Sequence, residues 1–138
     1  MCSSDLYVCS LSSSAISWTA RKQKVVATSS CEAEYVAAFK TAKECIWLHT
    51  LLHSINYQQY STTIIYCDNS VTKSLSEDPL LHSCIKHVDI KYHFLCEHVQ
   101  SNDLQLTYVN TRENIADMFT KALDAKQFTY LRSFLGLH

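Results

Sequence analysis

Between Tyr35 and Leu52 the apolar residues recur at spacings of three and four, through Tyr35, Ala38, Phe39, Ala42, Ile46, Leu48, Leu51 and Leu52. Soon afterwards the pattern collapses into the short β-branched run Thr63-Ile64-Ile65-Tyr66-Cys67. The first period fits a helix of about five turns with one broad buried face, and the second fits a buried strand. Ser29-x-x-Glu32 marks the helix start, because the serine hydroxyl can cap an early helical N–H while the glutamate reaches back. "NYQQYSTT" ends the helix, and after the strand "SVTKSLSED" begins a short helix stopped by Pro79. Helix, strand and helix in succession are the signal of an α/β fold.

The flanking segments extend that reading. "LYVCSL" and "AISWTA" enclose Ser12-Ser13-Ser14 and predict a β-hairpin, although a glycine is the usual residue in so short a turn. "RKQK" is a basic turn and "VVATS" a short extended run. Ile85, Val88, Tyr92, Leu95 and Val99 make one stripe of a longer helix over 82–100, and "LQLTYVN" alternates as a half-buried strand. "TREN" is a polar turn, "ENIADMFTKAL" begins another helix, and "QFTYLRSFLGL" carries Phe128, Leu131 and Leu135 in helical phase with Gly136 placed to end it. The 138 residues read as one domain, with an opening hairpin at about 6–20 and the helical and sheet remainder at about 29–138.

Composition excludes several function classes. No apolar run approaches the roughly 20 residues needed to cross a bilayer, and "MCSSDLYVCSLSSS" is a poor secretory signal, so a membrane role is not expected and the chain reads as intracellular. The seven cysteines form no C-x-x-C pair, which suits reduced thiols buried as small hydrophobes. With a formal net charge of −1 the chain lacks the overall basic footprint of a nucleic-acid binder, so phosphate contacts would need local patches. Arg21, Lys22 and Lys24 in the basic turn, and Lys86, His87, Lys91 and His93 on the later helix, are the candidates. A solvated helix face and an ordinary hairpin turn explain them equally well.

Three acids stand at special places. Glu34 lies in the first turn of the long helix, Asp68 at the exit of the buried strand, and Asp117 in the first turns of the last helical region. Brought to one edge of a sheet, they would make an acidic cluster suited to hard divalent cations, and so to two-metal phosphodiester hydrolysis. Spacing alone also permits a plainer reading, in which Glu34 and Asp117 complement helix dipoles and Asp68 closes a strand.

At these residues the sequence resembles the ribonuclease H domain at the C-terminal end of copia-type retrotransposon Pol polyproteins. The likeness runs through "AISWTARKQKVVATSSCEAEYVAA", "IYCDNS", "HSCIKHVDIKYHFLCEHV", "LTYVNTRENIADMFTKAL" and "LRSFLGL". It implies a ribonuclease H-like mixed sheet flanked by helices, cutting the RNA strand of RNA/DNA hybrids with Mg²⁺ or Mn²⁺. It also implies the reverse transcriptase part of the parent polyprotein as a partner, and a cytoplasmic virus-like particle or the nucleus as location. The family's metal-binding acids fall on Glu34 of "CEAEY", Asp68 of "YCDN" and Asp117 of "NIADM", whereas Glu32 falls on another side of the helix as the capping acid.

The resemblance also implies a fourth acid, on a first, central strand that this sequence lacks. "SSDLYVCSLSSSAISW" matches the family's second and third strands, and Asp5 corresponds to a small residue entering the second strand. Weak or absent cleavage by this chain is therefore expected, and a non-catalytic remnant or interaction domain is the alternative reading. Loss of that strand would bare two sheet edges, which could pair "LYVCSL" with "TIIYCD" directly or borrow a strand from a neighbour. The serine hairpin tip, and Ala122 where the family often has proline, are further departures.

Two smaller features have bland explanations. His49 and His53 stand four apart on the helix, a spacing that can bind Zn²⁺, but no glutamate lies between them and no third ligand is evident. Trp47, among Ile46 and Leu48, reads as core, while Trp18 fits either a core position or a base-stacking platform.

Overall fold

The computed structural model describes residues 4–22, 30–57, 61–67, 89–119 and 122–136. The opening residues form the expected hairpin, β1 (Ser4–Leu11) against β2 (Ser14–Lys22), antiparallel. Its turn solves the missing-glycine problem at a cost: Ser12 and Ser13 both adopt positive φ, 49° and 66°. That is the pattern of a type I′ turn, whose twist matches the strands but which disfavours side chains by about 1 kcal/mol per residue. Ser12→Asn combined with Ser13→Gly is expected to stabilise the protein by about 1 kcal/mol, read as a rise of several degrees in Tm.

Helix α1 (Ser30–Ser54) starts one residue after the predicted cap, and Ser29 itself lies outside the described residues. It is followed by β3 (Thr63–Cys67), then α2 (Asp89–Gln100) and β4 (Leu104–Tyr108). β3 and β4 pair in parallel from Thr63↔Leu104 to Cys67↔Tyr108. The result is mixed α/β, with two separate two-stranded sheets, β1–β2 and β3–β4, and three α-helices among the described residues. The extended run expected near 25–29, the short helix expected over 70–78 and the first part of the 82–100 helix lie outside the described residues.

One buried cluster joins these elements. It contains Cys9 of β1, Tyr35, Ala38, Ala42 and Cys45 of α1, Ile65 of β3, Leu95 of α2 and Leu104 of β4. Small residues at 38, 42 and 45 let α1 lie close to both sheets. The solvent stripe of α1 corrects two expectations: Trp47 is 56% exposed and Leu51 44%. Both share a helix face with the exposed Lys43 and Thr50, on the far side from Ala42 and Cys45.

The C-terminal part departs most from the sequence reading. Where a helix was expected over 113–123 there are two 3₁₀ segments, Thr111–Glu113 and Ile115–Phe119. Asn110 and Asn114 account for this, because their side-chain oxygens accept the N–H groups of Arg112 and Ala116, both at 3.1 Å. Such local bonds compete with helical ones. Helix α3 (Ala125–Ser133) begins earlier than expected, capped by Asp124, whose carboxylate accepts the Gln127 N–H at 2.7 Å. Leu131 and Leu135 are buried as expected, but Phe128 is exposed.

Gly136, the single glycine, closes this region with φ +72° against the hairpin turn. A Cβ there would meet Ser14 Oγ at 2.7 Å and the Ser13 carbonyl oxygen at 3.0 Å. The adjoining Leu135 carbonyl accepts the Ala15 N–H at 3.4 Å.

The entry to β4 is held by a polar knot. Ser101 Oγ donates to Asp103 Oδ2 at 2.7 Å, and His98 Nδ1 pairs with the same oxygen at 2.9 Å. These hydrogen bonds hold the Asp103 carboxyl below its ordinary value. A carboxylate depressed in the folded state stabilises above its unfolded pKa of about 3.9 and ceases to do so as pH falls through the folded value. Asp103→Asn is therefore expected to lower stability slightly at pH 7, with the difference from the parent closing below about pH 4 in urea titrations.

Candidate functional site

Orientation of the helices follows from a few contacts. His49 Nε2 lies 2.6 Å from Thr63 Oγ1, so the C-terminal half of α1 abuts the start of β3 and the helix runs antiparallel to that strand. α2 lies beside α1 in the same direction. Tyr92 stacks on Tyr35 with ring centres 6.1 Å apart, and Phe94 meets Phe39 edge-on at 5.3 Å. The first turns of both helices thus lie toward the end of the sheet where β3 and β4 finish.

Two acid-bearing segments reach that end by backbone position, the start of α1 and the exit of β3. Glu34 is in the second turn of α1. Asp68 follows directly on Cys67, the last residue of β3, and itself lies outside the described residues. Asp117 belongs to the 3₁₀ segment Ile115–Phe119, which follows β4 and packs near β1. The carboxyl ends of parallel strands are where α/β sheets commonly place ligands.

Of the candidate phosphate contacts, Arg21 is exposed near the end of β2, Lys22 is the last residue of that strand, and Lys91 is half-buried in the first turn of α2. Lys24 and Lys86 lie outside the described residues. Trp18 is 60% exposed on β2. His49 is engaged with Thr63, His53 is exposed, and no group of three potential metal-binding side chains gathers among the described residues.

Two features went unseen in the sequence. Ser17 Oγ donates to Glu44 Oε1 at 2.7 Å, tying β2 to α1. Tyr7 joins that pair, and burial followed by the nearby Glu44 charge pushes its phenol up. A glutamate in mid-helix beside lysine gives no sequence sign of such a bond. Cys9 and Cys45 form the second feature. The hydrogen bond to Cys45 and burial push the Cys9 thiol far above its ordinary range, and both cysteines are free, packed as small apolar groups.

Of the two expected arrangements, direct pairing of "LYVCSL" with "TIIYCD" does not occur among the described residues. β1 and β3 belong to different sheets and are separated by a cleft of about 600 Å³. Cys9 of β1 and Ile65 of β3 belong to the same buried cluster as Tyr35, Ala38, Ala42 and Cys45 of α1. No described helix is long and apolar enough to cross a membrane.

Comparison with known proteins finds no matching family profile and no matching solved structure. The chain is 38% identical over 136 residues, 99% of its length, to the retrovirus-related Pol polyprotein from transposon TNT 1-94 of Nicotiana tabacum. It is 37% identical over 131 residues, 95% of its length, to those from transposons RE1 and RE2 of Arabidopsis thaliana. It spans only 10% of the first of these polyproteins and 9% of the other two. Along essentially its whole length, the homologues of this chain are therefore retrovirus-related Pol polyproteins of transposons.

Proposed function

We propose that this chain is the ribonuclease H-like part of a copia-type retroelement Pol polyprotein, a domain whose complete form hydrolyses the RNA strand of RNA/DNA hybrids. The observation that carries the reading is the likeness to transposon Pol polyproteins along essentially the whole chain; the start of α1 with Glu34 and the exit of β3 before Asp68 support it by lying toward one end of the β3–β4 sheet, and Asp117 follows β4 in a 3₁₀ segment. Carboxylates are the donors that Mg²⁺ and Mn²⁺ take, so these residues suit such ions. When bound, the ions would supply activation of the attacking water and charge stabilisation of the leaving oxygen. Arg21, Lys22, Lys24, Lys86 and Lys91 would hold hybrid phosphates without reading sequence. The reverse transcriptase part of the same polyprotein would deliver the hybrid, in a cytoplasmic virus-like particle or the nucleus.

The cleft between β1 and β3, where Glu113 is the one acid among the described lining residues, favours a second reading, a non-catalytic remnant or interaction domain. Incubation of the folded chain with a labelled RNA/DNA hybrid in Mg²⁺ separates the two. Cleavage lost on chelation and in Asp68→Asn supports the hydrolase. A folded sample that neither cuts nor binds Mg²⁺ supports the remnant.

A further inference from the structure

Two thiols meet in the core. Cys9 of β1 and Cys45 of α1 are buried in one cluster, and their side chains hydrogen-bond to each other across the junction between hairpin and helix. Both are free. The backbone on each side explains the approach. The β1–β2 register shifts between Cys9 and Ser10, and a bulge of this kind re-aims the side chain beside it. On α1, Ala38, Ala42 and Cys45 share one face, so a stripe of small side chains lets β1 come close.

Burial alone makes a thiol inert, because the thiolate is the reactive form and apolar surroundings disfavour it. A hydrogen-bonded pair behaves differently. The Cys9 S–H donates to the Cys45 sulfur, which draws the Cys45 thiol below its ordinary value against the opposing effect of burial. The same bond, together with burial, keeps the proton on Cys9. One sulfur is thus primed to attack, and the other stands beside it as a resolving thiol. Neither residue is sealed, at 9% and 6% exposure, and hydrogen peroxide is scarcely larger than water.

We propose that Cys9 and Cys45 are an oxidisable dithiol, converted by peroxide into an intramolecular disulfide that ties the hairpin to α1. The Cys45 thiolate, its proton given to water, attacks one peroxide oxygen. An S–O bond forms, the O–O bond breaks, and the departing hydroxide takes up a proton to become water. The Cys9 sulfur then attacks the sulfur of the resulting sulfenic acid. The S–S bond forms, the S–O bond breaks, and hydroxide leaves with the Cys9 proton as a second water. Two thiols are oxidised to one disulfide and one peroxide is reduced to two waters. The bridge closes a loop of about 35 residues and so constrains the unfolded chain. This chemistry is independent of the hydrolytic reading, because Glu34, Asp68 and Asp117 take no part in it.

The test uses the full chain, reduced and then treated with a slight excess of hydrogen peroxide. After denaturation and alkylation, peptide mass spectrometry is expected to find Cys9 joined to Cys45 as the main intramolecular bridge, and dithiothreitol to remove it. The half-buried Cys67 and Cys96 serve as the internal comparison. The same treatment in urea is expected to lower the share of the Cys9–Cys45 link at least about fivefold, since seven cysteines can then pair in many ways. Cys9→Ser keeps a hydroxyl that can donate to the Cys45 sulfur, and is expected to leave Cys45 as a sulfenic acid that dimedone labels. Cys45→Ser is expected to leave Cys9 labelled at least about tenfold less, because a buried thiol without that partner is inert. A main bridge between other cysteines, both thiols still open to alkylation after peroxide, or an equal share of the link in urea would overturn the proposal. So would equal dimedone labelling in the two variants.

Discussion

Leu95→Ala is expected to cost about 3–5 kcal/mol, a third or more of the whole stability of an ordinary domain. Leu95 is 0% exposed at the centre of the cluster that joins α2 to α1, β3 and β4. Truncation removes its transfer free energy and leaves a cavity that the small Ala38 and Ala42 opposite cannot fill. Urea denaturation should show the midpoint falling with little change in slope, and Tm should drop by roughly 10 °C or more. Trp47→Ala is the matched control, expected to cost less than about 1 kcal/mol although it deletes a larger side chain. If the two losses came out equal or reversed, the assignment of faces on α1 and α2 would be wrong.

That contrast also shows where sequence reasoning worked on this fold. The start of α1, the β3 and β4 strands and the hairpin follow from period and capping, because each local preference agrees with the burial that tertiary packing imposes. Trp47 and Leu51 were misplaced for a physical reason: α1 is apolar around much of its circumference, so period alone does not say which stripe is buried. The segment after β4 failed differently. "ENIADMF" has helical composition, but Asn110 and Asn114 spend their side chains on nearby N–H groups, and two asparagines four apart were the available warning. Asp124-x-x-Gln127 was a legible cap that marks the true start of α3.

The candidate site was legible in another sense. Sequence placed Glu34 at a helix start and Asp68 at a strand exit. That the start of α1 and the exit of β3 lie toward one end of the sheet needed the parallel pairing of β3 with β4 and the direction of α1, which local pattern does not encode.

Asp68→Asn is expected to lower any Mg²⁺-dependent hybrid cleavage at least about a hundredfold, which corresponds to roughly 3 kcal/mol of transition-state stabilisation. The change keeps the size of the side chain and one oxygen but removes the charge that a hard cation needs. Glu34→Gln and Asp117→Asn should do the same, since carboxylates sharing ions act as a unit and their losses are not additive. Glu32→Gln is the discriminating partner. It stands two residues from Glu34 on the same helix and alters charge by the same amount, so it reproduces any general electrostatic effect on hybrid binding. Its expected cost is about 1 kcal/mol of helix capping and little activity. Isothermal titration with Mg²⁺ gives a second readout: heat of binding lost in Asp68→Asn and kept in Glu32→Gln places the ion with Asp68. Equal cleavage and equal Mg²⁺ binding in both variants would remove the three acids from the chemistry and leave the strand-exit aspartate as a turn residue.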